Sequence, residues 1–336
     1  MEIKEYILKN QYLEIHVLNL GGIIKNIYTL DCRRHKTDVI LGFDNPEQYA
    51  SPEYLAHYPY LGAIIGRYAN RIQGATFDIN GQSYKLTPNE KGNCLHGGAI
   101  GLDRQIWDVE QPDNEHLNLH YKSPDGENGF PGNLDITVRY SIKEHVFRII
   151  YEATCDQPTY VNLTSHPYFN LNPEEDTVRN HELRLYTKQY LETTPDLIPT
   201  GKIIDTDKKH SFNFNKPLSM PIEEGGIDAS YAFEAPIEPQ IMAELTSPKN
   251  GIAITLLSDY PCLQVYTGNG LEVSNGKEGR PYGPYSGIAL EPQMYPDSPH
   301  HPRFPSTLLL PGTPYHHKTI YTFNRFCGDE NPECNY

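Results

Sequence analysis

The stretch LDITVRYSIKEHVFRIIYEA, residues 134–153, decides the fold. Leu134, Ile136, Val138, Tyr140 and Ile142 alternate with Asp135, Thr137, Arg139 and Ser141. That is the period of a strand with one buried face and one wetted face. Beyond Lys143-Glu144-His145 the pattern resumes, with Phe147, Ile149, Tyr151 and Ala153 on one side and Arg148 and Glu152 on the other. Two alternating runs joined by a few polar residues predict an antiparallel hairpin.

The same periodicity extends outward along the chain. It predicts strands at 12–19, 83–87, 182–187, 252–258, 263–267, 288–291 and 318–323. Turn chemistry separates them, in Asn80-Gly81, Pro124-Asp125-Gly126, Pro131-Gly132, Asn250-Gly251 and Pro311-Gly312. Helical periodicity is weak and predicts only short turns within 45–55 and 172–179. Composition agrees: 25 Tyr and 11 Phe suit half-buried pleated surfaces, while 28 Pro and 26 Gly punctuate turns. No repeat, charge block or low-complexity linker marks a boundary. Residues 1–336 therefore read as one all-β domain, a large antiparallel β-sandwich.

Charge narrows the partners. Lys+Arg 28 against Asp+Glu 43 gives a formal charge of -15, which repels nucleic acid and anionic membrane surfaces but not a neutral small molecule. The N-terminus carries acids early and has no continuous apolar run, so no cleaved signal is expected, and no stretch is long and apolar enough to span a bilayer. The six cysteines, at 32, 94, 155, 262, 327 and 334, form no CxxC pair. They fit reduced thiols in a cytoplasmic protein, with local pairing of Cys327 and Cys334 left open.

Several short segments concentrate polar residues beside glycines and aromatics. His166 closes an alternating run within Ser165-His166-Pro167-Tyr168-Phe169, where burial disfavours the charged imidazole yet allows titration near neutral pH. Glu291 ends the apolar run Gly287-Ile288-Ala289-Leu290, and a buried acid needs a partner or a task. The alternatives are a structural histidine bonded to a backbone carbonyl, and a glutamate paired with Arg67 or Arg71. His96 precedes two glycines, Asn70 and Arg71 follow a glycine-started loop, and Asp228 ends Gly225-Gly226-Ile227. Each also admits a turn or edge-capping role. Gln264 alternates with Leu263 and Val265 and faces either solvent or a polar cleft.

The pairs His300-His301 and His316-His317 invite a metal reading. Adjacent residues on a strand point to opposite faces, however, and no HExxH or Cys/His spacing accompanies them. No dinucleotide, P-loop or serine-nucleophile motif is present.

Taken in order, the segments resemble the galactose mutarotase (aldose 1-epimerase) family over nearly the whole chain. They include GRYANRI at 66–72, CLHGG at 94–98, GLDRQIWDVE at 101–110, DGENGFPGNL at 125–134 and NLTSHPYFNL at 162–171. LIPTG at 197–201, GID at 226–228, QVYTGN at 264–269 and ALEPQ at 289–293 continue the series. The resemblance implies a β-sandwich of galactose-mutarotase type with a monosaccharide in an open cleft. It implies His166 as general acid and Glu291 as general base, with Asn70, Arg71, His96, Asp228 and Gln264 holding sugar hydroxyls and Tyr168 as a further contact. Neither metal nor cofactor is required for such proton transfers. Two positions depart from the pattern: Ser165 stands where many members have Asn, and Ala229 where many have His. They bear on supporting hydrogen bonds and on which sugar is preferred.

Overall fold

The computed structural model describes residues 2–234 and 236–326, so Cys327 and Cys334 lie outside the described residues. The quoted stretch forms the expected hairpin. Leu134–Lys143 pairs antiparallel with Val146–Cys155, and Leu134 stands opposite Cys155. Glu144 takes a positive φ of 52° in the two-residue turn, one residue tighter than the three polar residues suggest.

The hairpin lies within a nine-stranded antiparallel sheet. Its order in space is Asp108–Glu110, His116–Ser123, Leu134–Lys143, Val146–Cys155, Tyr315–Arg325, Ile252–Ser258, Gln240–Ser247, Glu182–Leu185 and Lys216–Pro217. A second, six-stranded sheet runs Tyr168–Phe169, Ile288–Gln293, Cys262–Tyr266, Asp228–Ala232, Gln189–Thr193 and Pro199–Asp205. Alternating apolar residues of both sheets meet in one cluster: Ile136, Val138, Phe147, Ile149 and Leu256 from the first, Tyr231, Leu263, Val265 and Leu290 from the second. This is the all-β sandwich that the periodicity predicts. A four-stranded sheet, spanning Glu5–Lys9 to Lys36–Asp38, adds Leu8, Ile15, Val17 and Ile27 to the same cluster.

Helices are short. The 45–55 region forms a 3₁₀ turn, Pro46–Ala50, capped by Asn45, and one α-turn, Pro52–Ala56, capped by Ser51. Of 172–179 only Val178–Asn180 becomes helical. No helix among the described residues is long and apolar enough to cross a membrane.

Alternation on the six-stranded sheet places the site. Leu263, Val265, Leu290 and Ala229 point into the core, so their neighbours Gln264, Glu291 and Asp228 point out of it. Ala229, one of the two departures from the family pattern, thus packs in the core. It does not line the cleft.

Candidate active site

Glu291 is only 2% exposed although it stands on the outward face of its sheet. Neighbouring chain segments are laced together beside it. Residues 162–166 run between two others: Asn162 N–H donates to the Arg67 carbonyl at 2.9 Å, and Ala69 N–H donates to the Asn162 carbonyl at 2.8 Å. On the other side the Thr164 hydroxyl donates to the Pro292 carbonyl at 2.7 Å, and Met294 N–H donates to Asn162 Oδ1 at 2.8 Å. This lacing sets His166 beside Glu291, with 3.6 Å between Nε2 and Oε1. That is too long for a direct hydrogen bond. Neither Nδ1 of His166 nor Oε2 of Glu291 has a partner.

Burial acts on the two groups in opposite directions. It lowers the imidazole of His166 to about 4. It raises Glu291 well above the usual carboxylate range, helped by Asp228 and opposed by Arg71. The sequence suggests titration near neutrality for His166; the dry floor of the cleft instead lowers it, while it raises Glu291.

The alternative partners for Glu291 are otherwise engaged. The Arg67 guanidinium is 2% exposed and bonds the Ser123 hydroxyl and the carbonyls of Ser123, Pro124, Pro131 and Gly132. Arg71 grips Glu90, with Nε–Oε2 at 2.7 Å and Nη2–Oε1 at 2.6 Å. Burial works against the Arg71 charge, yet the Glu90 carboxylate outweighs it and holds the guanidinium above its ordinary value.

Asn70 and His96 brace each other across the short pairing of Arg71–Ile72 with Cys94–Leu95. His96 N–H donates to the Asn70 carbonyl at 3.0 Å, and Asn70 N–H donates to His96 Nδ1 at 3.2 Å. An accepting Nδ1 leaves the proton on Nε2. Burial, together with His166 and Arg71, keeps His96 neutral by lowering it well below the ordinary value. Gly97 permits the close approach: at its φ of +87° a Cβ would lie 2.1 Å from the Gly66 carbonyl oxygen.

The third wall is the sheet itself. Gln264 stands in register with Glu291 on one side and Ser230 on the other. Its Nε2 donates to Asp228 Oδ1 at 2.5 Å, and its Oε1 accepts from Asn70 Nδ2 at 3.3 Å. The Asp228 carboxyl is raised by burial, with Arg71 opposing. Tyr168 packs against His166 with 4.8 Å between ring centroids.

All eight predicted residues, Asn70, Arg71, His96, His166, Tyr168, Asp228, Gln264 and Glu291, line one cleft of about 320 Å³. Sequence reading missed Tyr60, Glu90, Tyr266 and the His57–Pro59 segment, which line it too. Tyr60 covers both imidazoles, 4.6 Å from His96 and 6.1 Å from His166 between centroids. The run His57-Tyr58-Pro59-Tyr60 was a usable signal, because aromatics and His crowd a loop without strand periodicity. Glu90 carries no local signal; only contact with Arg71 gives it meaning.

A larger cavity of about 480 Å³ shares no lining residue with this cleft. Two of its cations are held in ion pairs, Lys277 with Asp38 at 2.6 Å and Arg280 with Glu278 at 2.7 Å, whereas the smaller cleft gathers an acid and an imidazole with unpartnered atoms. Chemistry therefore points to the smaller one. Of the histidine pairs, His316 and His317 do face opposite ways on a strand. His300 and His301 lie instead at a 3₁₀ turn, Ser298–His300, and both approach Asp297, at 2.6 and 3.5 Å. Among the described residues no group of three or more His, Cys, Asp or Glu could hold a metal ion.

Two stacked antiparallel sheets, with an imidazole and a carboxyl meeting at the floor of a cleft, define a sandwich protein equipped for acid–base chemistry. The family model described as aldose 1-epimerase matches residues 4–322, and the chain belongs to that family of carbohydrate epimerases. Galactose mutarotase of Homo sapiens is 33% identical over 329 residues, covering 96% of this chain and 94% of that one. Aldose 1-epimerase of Escherichia coli is 34% identical over 288 residues, covering 82% and 83%. The crystal structure of the GalM/aldose epimerase homologue from C. elegans superposes with a TM-score of 0.90 at 28% identity, covering 97% of this chain and all of that one.

Proposed function

We propose that this protein interconverts the α and β anomers of a free aldose such as galactose or glucose, with His166 and Glu291 exchanging protons with the sugar. The observation that carries the assignment of roles is the buried pair itself, 3.6 Å apart in a cleft lined by hydroxyl-binding groups.

In the closed sugar, Glu291 takes the proton of the C1 hydroxyl while His166 gives one to the ring oxygen. The bond between C1 and the ring oxygen breaks, leaving an open-chain aldehyde, a neutral imidazole and a protonated carboxyl. Rotation about C1–C2 presents the other face of the carbonyl. The ring oxygen then attacks C1, returning its proton to His166 as Glu291 reprotonates the carbonyl oxygen. No proton is gained or lost overall.

The electrostatics favour this sequence. Burial lowers His166 and raises Glu291, which makes the imidazolium a stronger acid toward the ring oxygen and the carboxylate a stronger base toward the C1 hydroxyl.

Around this pair, Asn70, Arg71, His96, Asp228 and Gln264 supply mixed donors and acceptors for hydroxyls, with Tyr168 as an apolar contact. His96 Nε2 donates, and so does the Arg71 Nη1 that Glu90 leaves free. A phosphorylated sugar suits the cleft poorly: Glu90, Asp228 and Glu291 line it, and its one arginine is already paired.

Polarimetry of freshly dissolved α-D-galactose and α-D-glucose tests the reading. Wild-type protein should speed the decay of rotation, and Glu291→Gln and His166→Asn should each abolish most of that gain. Variants with wild-type rates would remove these residues from the mechanism. Release of a monosaccharide from an aryl glycoside would mark a glycosidase instead.

A further inference from the structure

Ser230 is 5% exposed and lies on the cleft side of the six-stranded sheet. It stands opposite Gln264, which stands opposite Glu291, so the three side chains form a row across adjacent strands. The Ser230 hydroxyl donates to Gln264 Oε1, the same oxygen that Asn70 Nδ2 reaches at 3.3 Å. With two donors on its oxygen, the amide can only turn its nitrogen toward Asp228, and it does so at 2.5 Å. A flipped amide would set its NH₂ against two donors and its oxygen against a carboxylate.

Ser230 has a second buried polar neighbour. Cys262 lies two residues before Gln264 and therefore on the same face; it is fully buried and hydrogen-bonded to Ser230. Burial pushes that thiol up, so it stays an uncharged S–H beside the serine, whose hydroxyl donates to Gln264. Asn70 does not replace this contact. Its Oδ1 is occupied by Arg71 N–H at 2.8 Å, and its bond to Gln264 is the longer of the two.

We propose that Ser230 is a positioning residue for sugar binding, aiming the Gln264 amide, and through it the Asp228 carboxylate, at the sugar hydroxyls. The proposal rests on this cleft being the sugar site. Ser230 touches no reacting atom and leaves proton transfer between His166, Glu291 and the sugar untouched.

The test combines galactose affinity by titration calorimetry with mutarotation kinetics. Ser230→Ala should weaken binding and raise KM about three- to tenfold, the scale of one net hydrogen bond, with kcat within about twofold. Ser230→Thr, which keeps the hydroxyl, should stay near wild type. In a Gln264→Ala background Ser230→Ala should have no further effect, since its route to the sugar is already gone. Equal losses in both backgrounds, an unchanged KM, or a fall in kcat at constant KM would each overturn the proposal. Should Ser230→Ala fail to fold, Ser230→Thr against the isosteric Ser230→Val carries the same comparison. A wild-type protein that binds galactose but does not speed mutarotation sinks the catalytic reading and leaves the calorimetric comparison decisive for Ser230. A wild type that does not bind galactose overturns both.

Discussion

The two faces of the six-stranded sheet share strands and register, yet they are built for different ends. On the inner face Leu263, Val265 and Leu290 are fully buried against the other sheet. On the outer face Ser230, Gln264 and Glu291 are almost as inaccessible, at 5%, 5% and 2% exposed. Burial alone therefore does not separate core from site. What separates them is satisfaction: the polar atom Tyr231 carries on the inner face donates to the His210 carbonyl at 3.1 Å, while the cleft over the outer face leaves Glu291 Oε2 and His166 Nδ1 without partners. Unpaired buried polar atoms cost stability, and they persist where a ligand or a reaction uses them.

Substitutions on each face should therefore fail in different ways. The largest effect expected is from Glu291→Gln, which removes one of the two proposed proton carriers and should lower kcat by about 10²–10⁴-fold. Because a neutral amide replaces an acid that burial already disfavours, thermal unfolding should show no loss of stability; a large fall in melting temperature would contradict the contrast. On the inner face Leu290→Ala opens a cavity and should cost about 2–5 kcal/mol in denaturant unfolding. The folded fraction should retain near-normal kcat, and a kcat loss as deep as that of Glu291→Gln would erase the distinction between the faces.

A smaller effect is expected at the rim. Glu90→Gln weakens the two-pronged hold on Arg71 and should raise KM for galactose by about three- to tenfold with little change in kcat. If kcat falls instead, Arg71 acts in the chemical step and not only in binding.

The smallest effect concerns pH. Folded His166 takes up a proton only near 4, against an ordinary value of 6.5 in the unfolded chain. Between those values the unfolded state binds the extra proton, so stability falls as pH drops through that window. His166→Asn should flatten the dependence of unfolding free energy on pH there, though not abolish it, because burial lowers His181 to about 4 as well. An unchanged slope would show that His166 is not held neutral by burial.

Much of this architecture is legible in the chain itself. Period-two alternation marks the 134–153 hairpin and the 252–258 strand, and Asn-Gly and Pro-Gly pairs mark the breaks, because pleat geometry and turn stereochemistry act over a few residues. Local pattern places Tyr315–Arg325 too short, as 318–323, because its first residues lack clean alternation and are held by pairing with Val146–Cys155.

Site residues are legible as types and not as partners. The sequence shows that His166, Glu291 and Gln264 stand where polar side chains interrupt apolar runs, and its resemblance to the family supplies roles for them. Two arginines in GRYANRI look alike locally. Only the folded chain separates Arg67, enclosed by five oxygen contacts, from Arg71, which opens on the cleft beside Glu90. The sequence by itself determined the 134–153 hairpin, the other strands that alternate cleanly, the turns between them and the alternation that turns Gln264 away from an apolar layer. Tertiary structure decided that residues some 125 positions apart, His166 and Glu291, meet in a pocket dry enough to shift both, since desolvation depends on everything that surrounds a group.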